Sequence, residues 1–133
     1  MNTPSTLPQD VLNALQHQLG NEQVLTEETE RWSYGYDNSR RQALPDAVVF
    51  PQNHEDVVTI VKICNDYQIP LIARGRGTGT TGATVPLTGG LVLSTERMDK
   101  IISIEPVNRY MVVEPGVLNQ TVQEQAAQHG YFW

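Results

Sequence analysis

The chain has 133 residues, a length typical of a single domain. Hydrophobic residues make up 39% of it and charged residues 18%, which is enough apolar material for a core and too little charge for a disordered chain. Its 15 acidic residues outnumber its 9 basic ones, and the net charge of −6 argues against nucleic acid as the main partner. No apolar run approaches the roughly 18 residues of a transmembrane helix, so no transmembrane segment is predicted.

Other sequence features exclude further classes of protein and site. The N-terminal region has neither a basic start nor an apolar stretch, so no secretory signal is apparent. The single cysteine, Cys64, excludes an internal disulfide and a multi-thiolate metal site, and it is predicted to be a buried core residue. No two histidines share the spacing of metal ligands, so no metal site is predicted. These features favour a cytoplasmic location, with peripheral attachment to the inner face of a membrane left open.

Residues 1–42 are predicted to form a helical N-terminal segment. An amphipathic helix is expected from Pro8 to Leu19, because apolar residues recur along one face of it, at Val11, Leu12, Leu15 and Leu19. Gly20 is expected to end this helix. The charged and aromatic stretch from Thr26 to Arg41 predicts a short helix followed by irregular chain.

A strand–helix–strand unit is predicted next. The continuous apolar run Ala47–Phe50, bounded by prolines, is typical of a buried parallel strand. Asn53 is a candidate N-cap for the helix that follows. The apolar stripe of that helix is expected at Val57, Val61 and Cys64, with Val58 and Ile60 beside it. Pro70–Ala73 predicts a second strand, parallel to the first.

The rest of the chain predicts a third strand, a hairpin and a helix. Leu91–Ser94 is a short buried strand, and the runs Ile101–Ile104 and Tyr110–Val113 flank a turn. A helix that Gly130 closes follows, marked by Leu118, Val122 and Ala126. Tyr131–Trp133 is expected to begin another strand. The predicted fold class is α/β (α+β), with a short parallel βαβ sheet, flanking helices and a hairpin.

A glycine-rich segment lies between the second and third predicted strands. There is no acidic residue between Asp66 and Glu96, although six of the ten glycines lie within Gly75–Gly90. Glycines allow backbone N–H groups to surround an anion, and threonine hydroxyls and arginines add further donors. Together with Arg74 and Arg76, the segment predicts a pyrophosphate-binding loop.

Three alternatives apply to this loop. Gly77, Gly79 and Gly82 match the dinucleotide fingerprint, but that motif must open a helix, and the following residues 84–90 contain proline and paired glycines. The P-loop is excluded because the chain contains no Gly-Lys-Ser or Gly-Lys-Thr. A flexible surface connection is the remaining alternative, although loops of this length are usually functional or disordered.

Three segments together suggest a family. Leu44–Pro51 with its following helix, Ile69–Gly79 and Val112–Val117 occur in one order that resembles the FAD-binding PCMH-type domain of the vanillyl-alcohol oxidase and p-cresol methylhydroxylase superfamily. The resemblance is closest to the branch of the glycolate oxidase subunit GlcD and D-lactate dehydrogenase. The stretch from Tyr36 to Ser39 also looks like that branch. Residues 43–133 are therefore expected to be the first part of such a domain, truncated at its C-terminal side.

The resemblance implies which residues contact the cofactor. In this family the glycine-rich segment wraps the FAD pyrophosphate, which implies contacts from Arg76, Gly77, Thr78, Gly79 and Thr80. The following residues would lie along the same cofactor: Gly82, Ala83 and Thr84. A second cofactor-facing turn is implied at Pro115, Gly116 and Val117. Some relatives attach FAD covalently through a histidine at the place of Thr78, so the resemblance implies non-covalent FAD here.

The implied activity is oxidation of a small 2-hydroxy acid, such as glycolate or D-lactate, by hydride transfer to FAD. Family members continue with a second FAD-binding subdomain and a cap that supply the catalytic base, so this chain alone is expected to be inactive and no catalytic residue is assigned. The alternative is a non-catalytic flavin-binding or interaction module that pairs with another chain. A flavin reductase of cell-wall precursor synthesis is disfavoured, because that branch lacks the run from Leu44 to Gly116.

Overall fold

The computed structural model describes residues 6–133, so residues 1–5 of the predicted N-terminal segment lie outside the described residues. The helices of this part of the chain are α1 (Gln9–Leu19), α2 (Glu28–Arg31), α3 (His54–Asp66) and α4 (Asn119–Gln128). Its strands are β1 (Val24–Leu25), β2 (Ala47–Val49), β3 (Leu71–Arg74), β4 (Leu91–Ser94), β5 (Ile101–Glu105) and β6 (Tyr110–Val113). Short 3₁₀ helices occupy Asn21–Gln23, Trp32–Tyr34 and Thr95–Arg97.

The strands form a four-stranded sheet and a separate hairpin. The order in the larger sheet is β1-β2-β4-β3, in which β2, β4 and β3 are parallel and β1 is antiparallel to β2. Strand β4 therefore lies between the two strands that the α3 crossover connects. The antiparallel pair β5–β6 forms the hairpin. The predicted α/β class, with its parallel sheet, flanking helices and hairpin, is confirmed, and β1 is an element that the sequence did not predict.

The four-stranded sheet has a core on each face, because alternate residues of a strand point to opposite sides. On one face Ala47 and Val49 pack with apolar residues of α1 and α3, chiefly Val11, Leu12, Leu15, Leu19, Ile60 and Cys64. On the other face Val48 packs with Phe50, Val92 and the half-buried Tyr34. Since α1 and β2 share one core, the described part of the N-terminal segment, residues 6–42, packs against the sheet.

Helices α1 and α3 have the expected termini, but the predicted stripe of α3 is partly wrong. Gly20, with φ of +95°, follows α1, and the Oδ1 atom of Asn53 accepts from the Asp56 N–H at 2.9 Å to cap α3. The buried residues of α3 are Ile60 and Cys64, whereas Val61 is 46% exposed. One residue turns a helix by about 100°, so Val61 points away from the face that Ile60 buries.

Tyr131–Trp133 does not begin a strand, which corrects the sequence-based expectation. These residues have no regular secondary structure, and none of the described strands pairs with them. Instead the Tyr131 hydroxyl donates to the Pro106 carbonyl at 2.9 Å, and the Trp133 indole N–H donates to Asn119. Without a neighbouring strand to bond, the segment follows α4 and contacts the hairpin turn.

The glycine-rich segment is the connection between β3 and β4. These strands are adjacent and parallel, so residues 75–90 must carry the chain back from the carboxyl end of one to the amino end of the other. Such a return requires a long connection, which explains the length of the loop. No helix forms within it, as expected from Pro86 and the paired glycines that follow. At its far end the Gly90 N–H donates to the Asp46 carboxylate at 2.7 Å, just before β2.

Candidate functional site

The two predicted groups of site residues meet at the carboxyl edge of the parallel strands. The loop leaves this edge at Gly75, directly after β3, and the turn at residues 115–117 lies against the chain that follows β4. The buried Gly116 N–H donates to the Met98 carbonyl at 2.8 Å, and a Cβ at Gly116 would collide with the Thr95 carbonyl. The Arg76 guanidinium donates to the Gly116 carbonyl at 3.3 Å. In open α/β sheets ligands bind at this edge.

The loop presents a run of free backbone donors. Among the described residues, the N–H groups of residues 76–81 donate to no protein acceptor. This part of the loop lies at the surface, since the following residues are all exposed: Arg76, Thr78, Gly79, Thr80 and Thr81. Unpaired N–H groups of successive residues form an anion-binding concavity, and the absence of acidic residues in the loop favours negative charge there. The arrangement fits a phosphate or pyrophosphate group.

A second segment, the turn at residues 37–39, donates hydrogen bonds to carbonyl groups of the loop. The Asn38 N–H donates to the Gly79 carbonyl at 2.9 Å, and the Asn38 side-chain amide donates to the Thr78 carbonyl at 3.2 Å. Both contacts engage carbonyl groups and leave the N–H groups of the loop free. The turn therefore fixes the conformation of the loop without occupying its donors.

Asp37 anchors the same turn to the far part of the loop. Its carboxylate, 6% exposed, accepts from the Gly82 N–H at 3.0 Å and from the Ser39 N–H at 2.8 Å. Hydrogen bonds from the Ser39 side chain and backbone, with a smaller contribution from the Gly82 N–H, lower the pKa of Asp37 below its ordinary value. The Thr84 Oγ1 atom is buried near this carboxylate without a well-formed hydrogen bond among the described residues.

Arg74 does not contribute its charge to the exposed side of the loop, which differs from the expectation for the paired arginines. Its guanidinium is buried and donates to the Tyr36 carbonyl at 2.6 Å and to the Ser33 carbonyl at 3.3 Å. It also lies 5.7 Å from the centre of the Tyr34 ring and 6.0 Å from that of Tyr36. Arg74 is therefore a structural support beneath the loop, and Arg76 is the exposed cation.

The glycines of the loop differ in whether the backbone conformation and the neighbouring atoms exclude a side chain. Gly77 has φ of +68°, and a Cβ there would collide with the Arg74 guanidinium. Gly82 has φ of +79°, and a Cβ there would lie 2.9 Å from the Arg41 side chain. At Gly79 a Cβ would meet no protein atom within 4 Å, and the backbone is outside the left-handed region. The protein itself therefore tolerates a side chain at Gly79.

The remaining predicted site residues are spread along the loop and the turn. Ala83 and Pro115 are exposed, and Val117 is half-buried. Gly82 is buried and its N–H donates to Asp37, so it offers no free backbone donor, and its predicted place along the cofactor stays a prediction. The sequence did not single out Asp37 and Asn38 as site residues, although their segment contributed to the family resemblance. Their contacts join residues about 40 positions apart, which no local pattern reveals.

A separate cavity of about 280 Å³ lies between the hairpin and α4, away from the loop. Its lining includes Met111, Val113, Val122, Ala126 and Phe132, and it contains none of the predicted cofactor residues. Within residues 6–133 no cluster of His, Cys, Asp and Glu is arranged to hold a metal ion. None of the helices in this same range is long and apolar enough to span a membrane.

The part of the chain that contains the loop matches a known protein family. Residues 45–133 match the family described as "FAD binding domain", a range that includes the loop and the 115–117 turn. The chain belongs to this FAD binding domain family. FAD is accordingly its cofactor, and the free N–H groups of residues 76–81 fit the pyrophosphate of that cofactor.

Two sequence relatives illustrate the similarity of this FAD binding domain. The glycolate oxidase subunit GlcD of Bacillus subtilis is 36% identical over 104 residues, which cover 77% of this chain and 22% of that protein. The probable mitochondrial D-lactate dehydrogenase of Danio rerio is 34% identical over 113 residues, covering 84% of this chain and 23% of that protein. The chain thus spans about a quarter of the length of these relatives.

Solved structures support the same assignment. A structure of p-cresol methylhydroxylase with bound substrate matches with a TM-score of 0.79 and 29% identity, over 98% of this chain and 27% of that one. A structure of alkyldihydroxyacetonephosphate synthase matches with a TM-score of 0.86 over 96% of this chain and 28% of that one, but at 19% identity it supports the fold alone. The expected membership of the PCMH-type superfamily is confirmed.

Proposed function

We propose that this FAD binding domain holds the cofactor pyrophosphate on the backbone donors of residues 76–81. The observation that carries the proposal is a run of N–H groups, on mostly exposed residues, that donate to no described acceptor in a loop without acidic residues. A pyrophosphate carries negative charge and several acceptor oxygens, and such groups form strong hydrogen bonds to backbone donors. The hydroxyls of Thr78 and Thr80, both exposed, are additional donors at the same face.

Arg76 is the cation of the proposed site. One of its N–H groups donates to the Gly116 carbonyl, which ties the loop to the second predicted cofactor turn at residues 115–117. The guanidinium has further donors, so it can bind a phosphate oxygen while keeping this contact. Through Arg76 the two cofactor-facing segments form one continuous site at the edge of the sheet.

We further propose that FAD binds without a covalent bond to the loop. Thr78, which occupies the place of the attachment histidine of some relatives, has a hydroxyl in place of an imidazole. Its carbonyl is held by Asn38, and its side chain is exposed. Denaturation should therefore release the flavin intact.

We propose that the whole protein oxidises a small 2-hydroxy acid. The support is the sequence similarity to proteins named glycolate oxidase subunit GlcD and D-lactate dehydrogenase. FAD, when bound, supplies the acceptor for a hydride from the substrate. The residues described above bind and orient the cofactor; removal of the substrate hydroxyl proton is assigned to none of them.

The proposal is tested on the purified full-length protein. We expect a yellow protein that releases FAD into the supernatant after denaturation, and whose flavin absorbance is bleached anaerobically by D-lactate or glycolate. A colourless protein that takes up no FAD would contradict the cofactor proposal. Bound flavin that remains oxidised with both acids would contradict the substrate proposal alone.

A second proposal concerns contact with another protein chain. Large apolar side chains are exposed around the hairpin and the residues after α4, including Val107 at 91% and Phe132 at 88%. Exposed apolar clusters of this kind commonly mark protein contacts. Sedimentation velocity on the full-length protein tests this proposal: a self-association that Val107→Asp weakens would support it, and a monomer without any bound subunit would count against it.

A further inference from the structure

The direction of the loop's N–H groups is determined by contacts on its carbonyl groups. Asn38 makes two of these contacts, through its backbone N–H to Gly79 and through its side-chain amide to Thr78. The carbonyls of two successive peptide groups are thereby turned toward one residue. No other hydrogen bond of the described chain engages the backbone of Thr78 or Gly79.

The geometry of the peptide bond converts these contacts into an orientation of the donors. In a trans peptide the C=O and N–H bonds point in opposite directions, and no cis peptide occurs in the described chain. The Thr78 carbonyl faces Asn38, so the Gly79 N–H faces away from it. The Gly79 carbonyl also faces Asn38, so the Thr80 N–H faces away as well. Two consecutive donors therefore point to the exposed side of the loop.

We propose that Asn38 is a positioning residue that presents the Gly79 and Thr80 N–H groups to the FAD pyrophosphate. The inference rests on the proposed function of the loop as the pyrophosphate site. Asp37 fixes Asn38 in place, since its buried carboxylate binds the Gly82 N–H on the other side of the same turn. A preset pair of donors lowers the ordering cost of anion binding.

Two variants of Asn38 separate its side-chain contact from its backbone contact. Asn38→Ala removes the side-chain amide and keeps the backbone donor to Gly79. Asn38→Asp is nearly isosteric, but it places a carboxylate oxygen against the Thr78 carbonyl and adds negative charge beside the phosphate site. We expect the Kd for FAD to rise about threefold to tenfold in Asn38→Ala and at least about tenfold in Asn38→Asp.

The matched control is Asn13→Asp on α1, which makes the same chemical change at an exposed position far from the loop in sequence. The Asn13 Oδ1 atom accepts from the Gln9 side chain, a contact that a carboxylate preserves. The Kd of Asn13→Asp for FAD should equal that of the unmodified protein. Thermal unfolding of all apo proteins verifies that they are folded. If Asn38→Asp does not fold, the Kd for FAD is compared with that of Asn38→Ala alone.

Amide hydrogen exchange distinguishes positioning from general destabilisation. At FAD concentrations that saturate each protein, the Gly79 and Thr80 amides should be protected in the unmodified protein and less protected in the Asn38 variants. Protection in β4 should remain unchanged. If the unmodified protein binds FAD, and the variants match it in both Kd and loop protection, the role of Asn38 is refuted while the proposed function stands. If the unmodified full-length protein binds no FAD, the proposed function itself fails.

Discussion

Single residues in the loop differ in whether the fold allows a larger side chain, and the glycines show this most clearly. Gly77 is constrained by the protein, since its backbone is left-handed and the Arg74 guanidinium occupies the position of a side chain. Gly79 is unconstrained by the protein, since nothing described lies within 4 Å of a Cβ there. A glycine that the fold does not require leaves space for the close approach of a ligand. This contrast separates effects on stability from effects on binding.

The contrast predicts different stabilities for two alanine variants of the apo protein. Gly77→Ala should lower the free energy of unfolding by about 1–3 kcal/mol, because it adds left-handed strain and displaces Arg74. Gly79→Ala should change it by less than about 0.5 kcal/mol. Urea denaturation of both variants measures the difference. Equal losses in the two variants would contradict the assignment of constraints.

The buried guanidinium of Arg74 leads to a second prediction, about the free energy of unfolding. Replacing it with methionine in Arg74→Met keeps much of the apolar stem but leaves the Tyr36 and Ser33 carbonyls without their donor. We expect the free energy of unfolding to fall by about 3 kcal/mol, measured by urea denaturation. Lys62→Met, at an exposed position of α3, removes the same charge and should cost less than about 0.5 kcal/mol. Similar losses in both variants would refute the structural role of Arg74.

At the scale of elements, local patterns predicted the helices and strands well and their arrangement poorly. The apolar face of α1 and the cap of α3 at Asn53 followed from residue spacing and type. The placement of β4 between β2 and β3 did not, because an apolar run shows that a strand is buried without indicating its neighbours. The burial of Ile60 rather than Val61 was likewise decided by the sheet against which α3 packs.

The same limit applies to the candidate site. Glycine and threonine content predicted an anion loop, and the resemblance placed FAD there, because the chemistry of these residues is local. The support from Asp37, Asn38 and Arg74 was missed, because hydrogen bonds across about 40 positions depend on the tertiary fold. The long loop also has a purely topological reason, the return between parallel strands, which composition alone does not show.

The packing of the 37–39 turn on the loop predicts a pH dependence of stability. The pKa of Asp37 is lower in the folded protein than its ordinary value of 3.8, so its ionised form stabilises the fold. This contribution is complete above about pH 5, and it is lost as the pH falls through the ordinary pKa toward the lower folded one. The stability difference between the unmodified protein and Asp37→Asn should therefore shrink below about pH 4.

Urea denaturation at several pH values between about 7 and 3 measures that difference. Asp66→Asn, at the exposed end of α3, controls for the loss of one negative charge from the chain. A difference between the unmodified protein and Asp37→Asn that stays constant from neutral pH to pH 3 would show that the Asp37 carboxylate does not anchor the loop through its charge.

At the scale of the whole molecule, the fold places all parts of the proposed site at one edge. The helices α1 and α3 cover one face of the sheet, and the aromatic residues Tyr34 and Phe50 cover the other, which leaves the carboxyl edge open for the loop and the 115–117 turn. The buried sheet fixes where the loop begins, and the contacts of Asn38 and Arg76 fix how it faces. The proposed cofactor site thus combines the rigid strands of the sheet with a long loop that the 37–39 turn supports.

The most direct test of the account is a calorimetric titration of the apo full-length protein and its Gly79→Val variant with FAD. The unmodified protein should bind one FAD per chain. Gly79→Val should bind FAD at least about 100-fold more weakly with unchanged stability, because a side chain that meets no protein atom there would compete with a pyrophosphate bound to the neighbouring N–H groups. Equal Kd values for the two folded proteins would contradict the placement of the pyrophosphate on this loop.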